Sequence, residues 1–361
     1  MTKHVQAQHG VVCSMPERKD GYFGWPSAAV LEGGTIAVGA SGLRRHHIDP
    51  WGKTVVWFGD SEKGFGEPVV IHNSPLDDRD VGLTALPGGG LLATWFSLDP
   101  RIFHDQLKKQ FSAEEFAEIE KDMNAVDDET AIAHQGSWTQ RSDDGGKTWH
   151  AKVRCPLSTP HGPIVLSDGR LLYLGKQFPA GLTRPFADVA CAVSSDNGDT
   201  WQEIGVVPLP EGTSIDQFHE PHVAQCADGT LRGYIRYHYP QEEGGNLGVF
   251  QTESHDGGKT WTMAEDMGIH GSPPHILKHS SGAWVMVYGW RHPGYGQRAK
   301  ISLDEGKTWG EELILRDDGP DGDLGYPCSV ELEDGSIFTV YYQKAAAGEK
   351  TSILWTKWNI E

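Results

Sequence analysis

The chain has 361 residues, 50 of them acidic and 31 basic, which gives a net charge of −19 at neutral pH. Such a surface repels phosphate polyanions and anionic lipids, so neither a nucleic acid nor a membrane is expected as a partner. The 45 glycines, 21 prolines and 13 tryptophans suit a protein of many short strands joined by turns.

The N-terminus and the cysteines bear on the cellular compartment. No apolar run resembling a signal peptide follows Met1, and no stretch of about 18 apolar residues occurs in the sequence. The cysteines are odd in number, widely spaced and form no CxxC pair: Cys13, Cys155, Cys191, Cys226 and Cys328. We therefore expect free thiols and a cytoplasmic protein.

A pattern of an apolar run, a turn with glycine and a second apolar run occurs six times. The segments are Trp25 to Val38, Asp80 to Trp95, Pro160 to Leu174, Glu220 to Ile235, Pro273 to Tyr288 and Tyr326 to Tyr341. Their turn glycines, aligned with one another, are Gly34, Gly89, Gly169, Gly229, Gly282 and Gly335. Most steps between them are roughly 50 to 60 residues, which is typical of a β-propeller blade of four short strands.

The step from Gly89 to Gly169 is longer than the others, and it contains a helical pattern. Between residues 101 and about 128, Ser112 and Glu115 form a capping box. Three apolar residues then fall on one helical face: Phe116, Ile119 and Met123. This segment is predicted to be a helical insertion in the region of the second to third blades.

A second repeat, Ser-x-Asp-x-Gly-x-Thr-Trp, lies between the apolar segments and occurs four times. The copies begin at Ser142, Ser194, Ser254 and Ser302. Ser, Asp and Thr oxygens can bond nearby backbone amides and glycine can take a positive φ, so each copy predicts a tight hairpin turn. A degenerate copy without Thr-Trp follows Trp57.

Together the repeats predict an all-β fold. We expect one domain over residues 1–361, a six-bladed β-propeller of four-stranded antiparallel blades, with the helical insertion at about 101–128. The run from Ser352 to Trp358 is expected to close the ring beside a strand from the first 25 residues. A β-sandwich, the alternative all-β fold, accommodates six near-equal repeats poorly.

The starts of the inner strands are the places where chemistry is expected, because they converge on the propeller axis. The residues at these starts are Trp25, Asp80, Pro160, Glu220, Pro273 and Tyr326. Two carboxylates and a phenol among them are chemically capable.

The repeated boxes on six blades resemble those of the sialidase (neuraminidase) superfamily, a resemblance that covers nearly the whole chain outside the insertion. It implies that the boxes are structural, that Tyr326 is a nucleophile and that Glu220 is its base. It further implies a carboxylate clamp containing Arg236 and Arg298, and Asp49 as the acid/base. Other pocket residues suggested by position are Arg44, Arg45 and Asp80.

One departure from that family pattern concerns its Phe-Arg-Ile-Pro motif. This chain reads Phe23-Gly24-Trp25-Pro26, so the first arginine of the clamp is replaced by Gly24. Losing one charge-assisted hydrogen bond could weaken binding about tenfold or more. Arg44 or Arg45 could compensate, or the substrate could differ from a standard sialic acid, and Trp25 could stack on a sugar or simply pack.

Three histidines lie at or next to the aligned position in consecutive blades: His161, His222 and His275. They could line the axial channel, bind a metal or supply a general base. Their spacing contains no preformed ligand motif, so we expect neither a metal nor a cofactor.

Three hypotheses about function follow. The first is a retaining exo-glycosidase that removes a terminal acidic sugar, with a carbohydrate carrying a carboxylate as its partner. The second is a uronate-directed lyase or glycosidase that uses a pocket histidine as base. The third is a non-catalytic carbohydrate-binding propeller, which Gly24 would permit.

Overall fold

The structure is a computed structural model that describes residues 3–178, 187–243 and 245–360. Their strands form six antiparallel sheets, arranged as the blades of a propeller. The predicted all-β, six-bladed fold is confirmed.

The blades share one strand order, from the axis outward. The inner strands are Tyr22–Val30, Asp77–Leu86, Ile164–Val165, Phe218–Gln225, His275–Lys278 and Gly325–Glu331. The second strands are Ile36–Arg44, Gly90–Leu98, Leu171–Gln177, Leu231–His238, Trp284–Trp290 and Ile337–Lys344. The third strands are Lys53–Asp60, Gly136–Ser142, Val189–Ser194, Leu247–Ser254, Gly296–Ser302 and Thr351–Trp358. The outer strands are Gly64–Phe65 with Val69–His72, Val153–Cys155, Gln202–Val206, Glu265–His270, Leu313–Arg316 and Ala7–Cys13.

The N-terminus closes the ring. Ala7–Cys13 is the outer strand of blade 6 and runs antiparallel to Thr351–Trp358, as predicted. The short strand Lys3–His4 adds to blade 5 in parallel with Leu313–Arg316. The first and last parts of the chain therefore share a sheet, which removes the open edge that a β-sheet would otherwise expose.

The hydrophobic core is divided among the six interfaces between neighbouring blades. At the interface of blades 6 and 1, Trp25 and Trp57 lie in one buried cluster with Phe338 and Trp355. Corresponding clusters join blades 1 and 2, 2 and 3, 3 and 4, 4 and 5, and 5 and 6. All five cysteines are buried as free thiols.

The helical insertion lies between the second and third strands of blade 2. It consists of the 3₁₀ turn Pro100–Phe103 and the helices His104–Gln110, Ala113–Asn124 and Asp128–His134. The capping box of Ser112 and Glu115 is present, and the predicted apolar face is buried. The helical segment continues past its expected end because Asp127 caps one further helix. Two shorter 3₁₀ turns are Ile215–Gln217 and Gln241–Glu243.

No helix in the described parts of the chain combines the length and the apolar composition that crossing a membrane requires.

The four boxes form identical turns between third and outer strands. In each, the serine hydroxyl accepts the backbone N–H of the glycine at 2.7–2.9 Å. One oxygen of the aspartate accepts the threonine N–H at 2.8–2.9 Å, and the other accepts the threonine hydroxyl. The predicted turn chemistry is confirmed.

The box glycine also explains how neighbouring blades meet. All four copies have a positive φ of 82–93°, and each lies against a side chain of the preceding blade. An added Cβ would approach that side chain to 2.1–2.8 Å in the pairs Gly146 with Phe58, Gly198 with Leu92, Gly258 with Cys191, and Gly306 with Tyr234. Only glycine meets both the conformational and the steric demand.

Ser254→Ala tests the contribution of a box to stability. Ser254 is buried, and its loss leaves the Gly258 amide without an acceptor, so the free energy of unfolding should fall by about 1–3 kcal/mol. The measurement is urea unfolding followed by tryptophan fluorescence. Lys259→Ala, an exposed change in the same turn, is the control and should change stability little. Equal stability of the two variants would contradict a structural role for the box.

Candidate active site

Four of the six inner strands begin with a residue in the left-handed conformation. The φ values are 54° for Trp25, 54° for Asp80, 46° for Glu220 and 52° for Tyr326. At each position the pairing register shifts, as in a β-bulge. Such backbone strain costs about 1–3 kcal/mol per residue and concentrates at functional sites.

The two remaining blades carry Pro160 and Pro273 at this position. A proline ring holds φ near −65°, so these strands cannot form the same bulge. The bulge is therefore found at four of the six aligned positions, and three of these four residues, Asp80, Glu220 and Tyr326, line the cavity described below. This distinction agrees with the register obtained from the repeats.

Tyr326, Glu220 and Arg236 form a hydrogen-bonded cluster. The Tyr326 hydroxyl donates to Glu220 Oε1. Arg236 Nη1 donates to Glu220 Oε2 at 2.5 Å and to the Tyr326 oxygen at 3.0 Å. The structure thus brings together three of the predicted site residues, which come from blades 4 and 6.

The environment sets the protonation of this cluster. Burial alone would raise the pKa of Glu220, but the charge of Arg236 and the hydrogen bond from Tyr326 lower it to about 2. Burial, and then the negative charge of Glu220, raise the pKa of Tyr326 well above its usual value. At neutral pH the phenol is therefore protonated and the carboxylate beside it is ionised.

Asp80 has the opposite behaviour. Burial and the negative charge of Glu220 raise its pKa to about 7, with partial compensation by Arg79. One oxygen of its carboxyl group, Oδ1, is buried without a hydrogen-bond partner. Two carboxyl groups in one site with pKa values pushed apart are typical of an acid and a base with separate tasks.

Asp80, Glu220 and Tyr326 line a cavity of about 170 Å³ at the axis. Arg236 is not among the lining residues, but it bonds to Glu220 and Tyr326, which are. The cavity lining also includes an apolar wall and additional polar groups: Arg79, Phe96, Leu98, Phe103, Ser158, Thr159, Pro160, Lys176 and His219. Phe103 comes from the insertion, so this segment contributes to the site. Lys176 donates from Nζ to the Ile215 carbonyl at 2.7 Å. A cavity of this size is small compared with ligand pockets of about 300–1,000 Å³.

The sequence prediction missed several of these side chains. Arg79 directly precedes the aligned Asp80, so the register could have found it. Lys176 and Phe103 give no signal in the repeat, because they come from a second strand and from the insertion. The site is assembled from elements that are distant in sequence.

Arg298 was predicted to belong to the carboxylate clamp, but the structure gives it other partners. It donates to the carbonyls of Gly294 and Arg316 at 2.7 Å each, and it is not among the cavity-lining residues. Arg291 lies closer to the cluster, with its guanidinium 5.7 Å from the Tyr326 ring centroid. Of these two arginines of blade 5, Arg291 is therefore the one that the structure places near the Tyr326 ring.

Asp49, predicted as the acid/base, is fully buried outside the cavity. Its carboxylate accepts the backbone N–H groups of Arg45 and Trp51 at 2.6 and 2.9 Å. The loop folds around this carboxylate, which makes Asp49 a turn residue in the structure.

Arg44 and Arg45 are likewise not brought into the cavity. Arg44 is buried and donates to both oxygens of Asp77, at 2.7 and 2.9 Å. Arg45 stacks on Trp51, 3.4 Å from the ring centroid, and lines a separate cavity of about 920 Å³ beside the insertion. Neither arginine contacts Tyr326 or Glu220.

Trp25 is 1% exposed, so it has a packing role and no free ring face for a sugar. The guanidinium groups of Arg44 and Arg79 lie 4.7 and 4.2 Å from its ring centroid. Beside it, a Cβ on Gly24 would lie 3.4 Å from the Tyr22 ring and 3.8 Å from the Tyr342 ring. A Cβ at this position would therefore make ordinary van der Waals contacts with these two rings.

The three histidines lie together on the axis, with ring centroids 4.4–5.6 Å apart, beside a second cavity of about 450 Å³. Nδ1 of His222 accepts the Ile276 N–H at 3.0 Å, and Nδ1 of His275 accepts the Ser329 N–H at 3.3 Å. Burial lowers the pKa of both rings. The neutral rings therefore carry their proton on Nε2 and present no lone pair there to a metal.

His161 completes this group, and burial lowers its pKa to about 3. Within the described residues, no set of three or more His, Cys, Asp or Glu side chains has the arrangement of a metal site. Of the three roles left open for these histidines, lining the axial channel is the one the structure shows.

The fold and the site define a six-bladed β-propeller with a polar cavity where the inner strands begin. Residues 123–339 match a family model described as a BNR repeat-like domain. This match covers more than half of the chain, and the protein belongs to that family.

Solved structures share the fold at low sequence identity. A protein of unknown function from Dyadobacter fermentans is 23% identical, with a TM-score of 0.78 and coverage of 99% of both chains. The intramolecular trans-sialidase of Ruminococcus gnavus is 15% identical, with a TM-score of 0.65 and coverage of 97% of both chains. An alpha-L-arabinanase from Penicillium chrysogenum is 15% identical, with a TM-score of 0.62, over 97% of this chain and 98% of that one. No curated protein sequence matches the chain.

The pH dependence of stability tests the environment of Asp80. Its pKa is raised from about 3.9 in the unfolded chain to about 7 in the fold. The native state thus keeps a proton that the unfolded state releases, and stability is lost as pH rises through this range. Asp80→Asn removes the penalty, so its gain in unfolding free energy over the wild type should be larger at about pH 8 than at about pH 4.

Denaturant unfolding at several pH values measures this difference. Asp168→Asn is a control of opposite sign, because Arg170 lowers the pKa of that exposed carboxylate. A difference between Asp80→Asn and wild type that does not change with pH would contradict the raised pKa.

Proposed function

We propose that this protein is a retaining exo-glycosidase that removes a terminal acidic sugar from a glycoconjugate. The observation that carries the proposal is the cluster of Tyr326, Glu220 and Arg236 at a small axial cavity. A buried phenol that donates to an ionised carboxylate and accepts from a guanidinium is an activated nucleophile.

In the first step, the Tyr326 oxygen attacks the anomeric carbon while Glu220 accepts the phenolic proton. Arg236 bonds to both groups and stabilises the negative charge that develops on the phenol oxygen. A neutral tyrosine suits a substrate with a carboxylate near the reacting carbon, because an anionic nucleophile would be repelled. The bond to the leaving group breaks as the bond to Tyr326 forms.

We assign the acid role to Asp80 in place of Asp49. Its pKa of about 7 leaves about half of the Asp80 carboxyl groups protonated at neutral pH, and the protonated form can donate a proton to the leaving oxygen. In the second step, the Asp80 carboxylate takes a proton from the attacking water, and the glycosyl–tyrosine bond breaks. Glu220 then returns its proton to Tyr326, which restores the starting state.

The substrate class is inferred from charge and size. Arg79 and Lys176 line the cavity of this strongly acidic protein, and Arg236 adds positive charge beside Glu220 and Tyr326. The small volume suits one terminal sugar and argues for exo-action. The Ruminococcus gnavus structure is described as a complex with oseltamivir carboxylate, an acidic ligand, which supports the same class here.

The alternatives receive less support. Among the lining residues, a lyase with a pocket histidine as base could use His219, because the three axial histidines line the second cavity. Burial lowers the pKa of His219 to about 4, so its ring is a weak base at neutral pH. A non-catalytic role does not account for the strained backbone conformations of Tyr326 and Glu220, because such strain is concentrated at functional sites. Formation of an unsaturated uronate that absorbs in the near ultraviolet would favour the lyase, and binding without turnover would favour the non-catalytic protein.

Tyr326→Phe tests the nucleophile. The variant keeps the ring and loses the attacking oxygen, so turnover of aryl glycosides of acidic sugars should fall by about 10³-fold or more while the fold is unchanged. Tyr342→Phe is the matched control, since Tyr342 is also buried and its ring lies 5.9 Å from that of Tyr326. Wild-type activity in Tyr326→Phe would overturn the proposal.

Asp80→Asn tests the acid. An activated leaving group needs no proton, so the variant should cleave a dinitrophenyl glycoside nearly as well as wild type during glycosylation. It should cleave an alkyl glycoside about 10²–10⁴-fold more slowly. In wild type, kcat/KM for the alkyl glycoside should decline above about pH 7 as Asp80 loses its proton. Equal losses on both substrates would assign Asp80 a different role.

A further inference from the structure

Among the arginines near the cavity, most use their donors within the protein. Arg236 bonds to Glu220 and Tyr326. Arg291 donates from Nε to the Leu324 carbonyl at 3.0 Å. Arg44 is occupied by Asp77, Ser41 and two backbone carbonyls. Arg44 therefore has no guanidinium nitrogen without a partner. Arg236 keeps an unpartnered Nε, but it is not among the residues that line the cavity.

Arg79 differs from them. It lines the cavity, its side chain is 12% exposed, and its nearest acidic contact is Nη1 at 3.8 Å from Asp77 Oδ2. This distance is longer than a hydrogen bond. Both carboxylate oxygens of Asp77 already accept hydrogen bonds from Arg44. Arg79 Nε is buried without a hydrogen-bond partner. A buried guanidinium with unused donors has a strong tendency to bind an anion.

The position of Arg79 is held by the packing around it. Its guanidinium lies 4.2 Å from the centroid of the Trp25 ring, and a stacked guanidinium keeps its N–H donors in the plane parallel to the ring. The next residue, Asp80, has the left-handed backbone that begins the inner strand. Arg79 is therefore aimed from blade 2 toward the same cavity as Tyr326.

We propose that Arg79 is the residue that recognises the carboxylate of the sugar, and thereby determines specificity for acidic over neutral substrates. This inference rests on the proposed function and identifies the side chain that binds the negatively charged carboxylate of the substrate. Arg79 would take the part that the absent arginine at Gly24 cannot. Gly24 has no side chain that could carry a charge, so the charge is supplied from the neighbouring blade.

Charge in the rest of the cavity is consistent with this assignment. Glu220 is neutralised by Arg236, and Asp80 holds a proton near neutral pH. Asp77, the other carboxylate near Arg79, is bound by Arg44. The carboxylate of the substrate would therefore meet one under-used cation and little repulsion.

The test compares each acidic sugar with its uncharged methyl ester. Aryl glycosides of N-acetylneuraminate, glucuronate and galacturonate, with their esters, serve as substrates. In Arg79→Met, KM for the acid that wild type cleaves should rise about 10- to 100-fold, the loss expected for a charge-assisted contact. KM for the ester and kcat for both should change little, because the contact is made in the ground state and in the transition state alike.

Arg45→Met is the matched control. Arg45 is also a buried guanidinium stacked on a tryptophan, but it lies at the separate cavity, so the ratio of acid to ester should stay at the wild-type value. Arg79→Lys keeps the charge without the planar fork and should lose less than Arg79→Met. If Arg79→Met does not fold, Arg79→Gln, which also removes the charge, takes its place, and an unchanged ratio of acid to ester in it overturns the proposal.

A binding measurement separates this proposal from the proposed function. Titration calorimetry of the free acids and their esters uses wild-type and Arg79 variants without any requirement for turnover. Acid-selective binding by wild type that is lost in Arg79→Met supports Arg79 even if no glycoside is hydrolysed. Selectivity that persists in Arg79→Met overturns the role of Arg79 while the glycosidase proposal stands. Absence of binding of every acid to wild type overturns both.

Discussion

The contact between each box glycine and the preceding blade is the constraint on which the rest of the structure depends. The Ser, Asp and Thr side chains fold the turn, and the missing Cβ lets it lie against a side chain such as Phe58 or Tyr234. Each such contact sets the angle and distance between two blades whose apolar faces form the core. Four box contacts relate blades 1 to 5 in this way, and buried apolar clusters join blade 6 to blades 5 and 1. The inner strands therefore converge on one axis, and the site is a consequence of that convergence.

The convergence of the inner strands does not by itself make a functional site. The left-handed bulges also contribute, because they set the backbone conformation of the residues at the strand starts. Trp25, Asp80, Glu220 and Tyr326 take a backbone conformation that costs free energy. This strained conformation persists because packing between the blades holds the starts of the inner strands in place. The stabilisation from the turns at the outer edge of the blades is thus partly offset by backbone strain at the axis. The strained residues there include a phenol and two carboxyl groups whose pKa values are shifted in opposite directions.

The arginines near the axis differ in the partners that hold them. At Gly24, blade 1 presents no cation. Arg44 and Arg45 do not supply one, because the first clamps Asp77 and the second stacks on Trp51. Arg79 has donors to spare because Arg44 has already taken the oxygens of Asp77. This competition for one carboxylate cannot be read from spacing.

The sequence by itself determined the number of blades, the turn at each box, the capping box of the insertion and the strand starts that carry Asp80, Glu220 and Tyr326. These features are local or periodic, so a repeated pattern is enough to find them. Only the tertiary structure decided that Arg236 reaches Tyr326 while Arg298 binds carbonyl groups, that Asp49 is sealed within its own loop, and that Phe103 enters the cavity. The physical reason is that hydrogen-bond partners and burial depend on packing between blades, and pKa values follow from both.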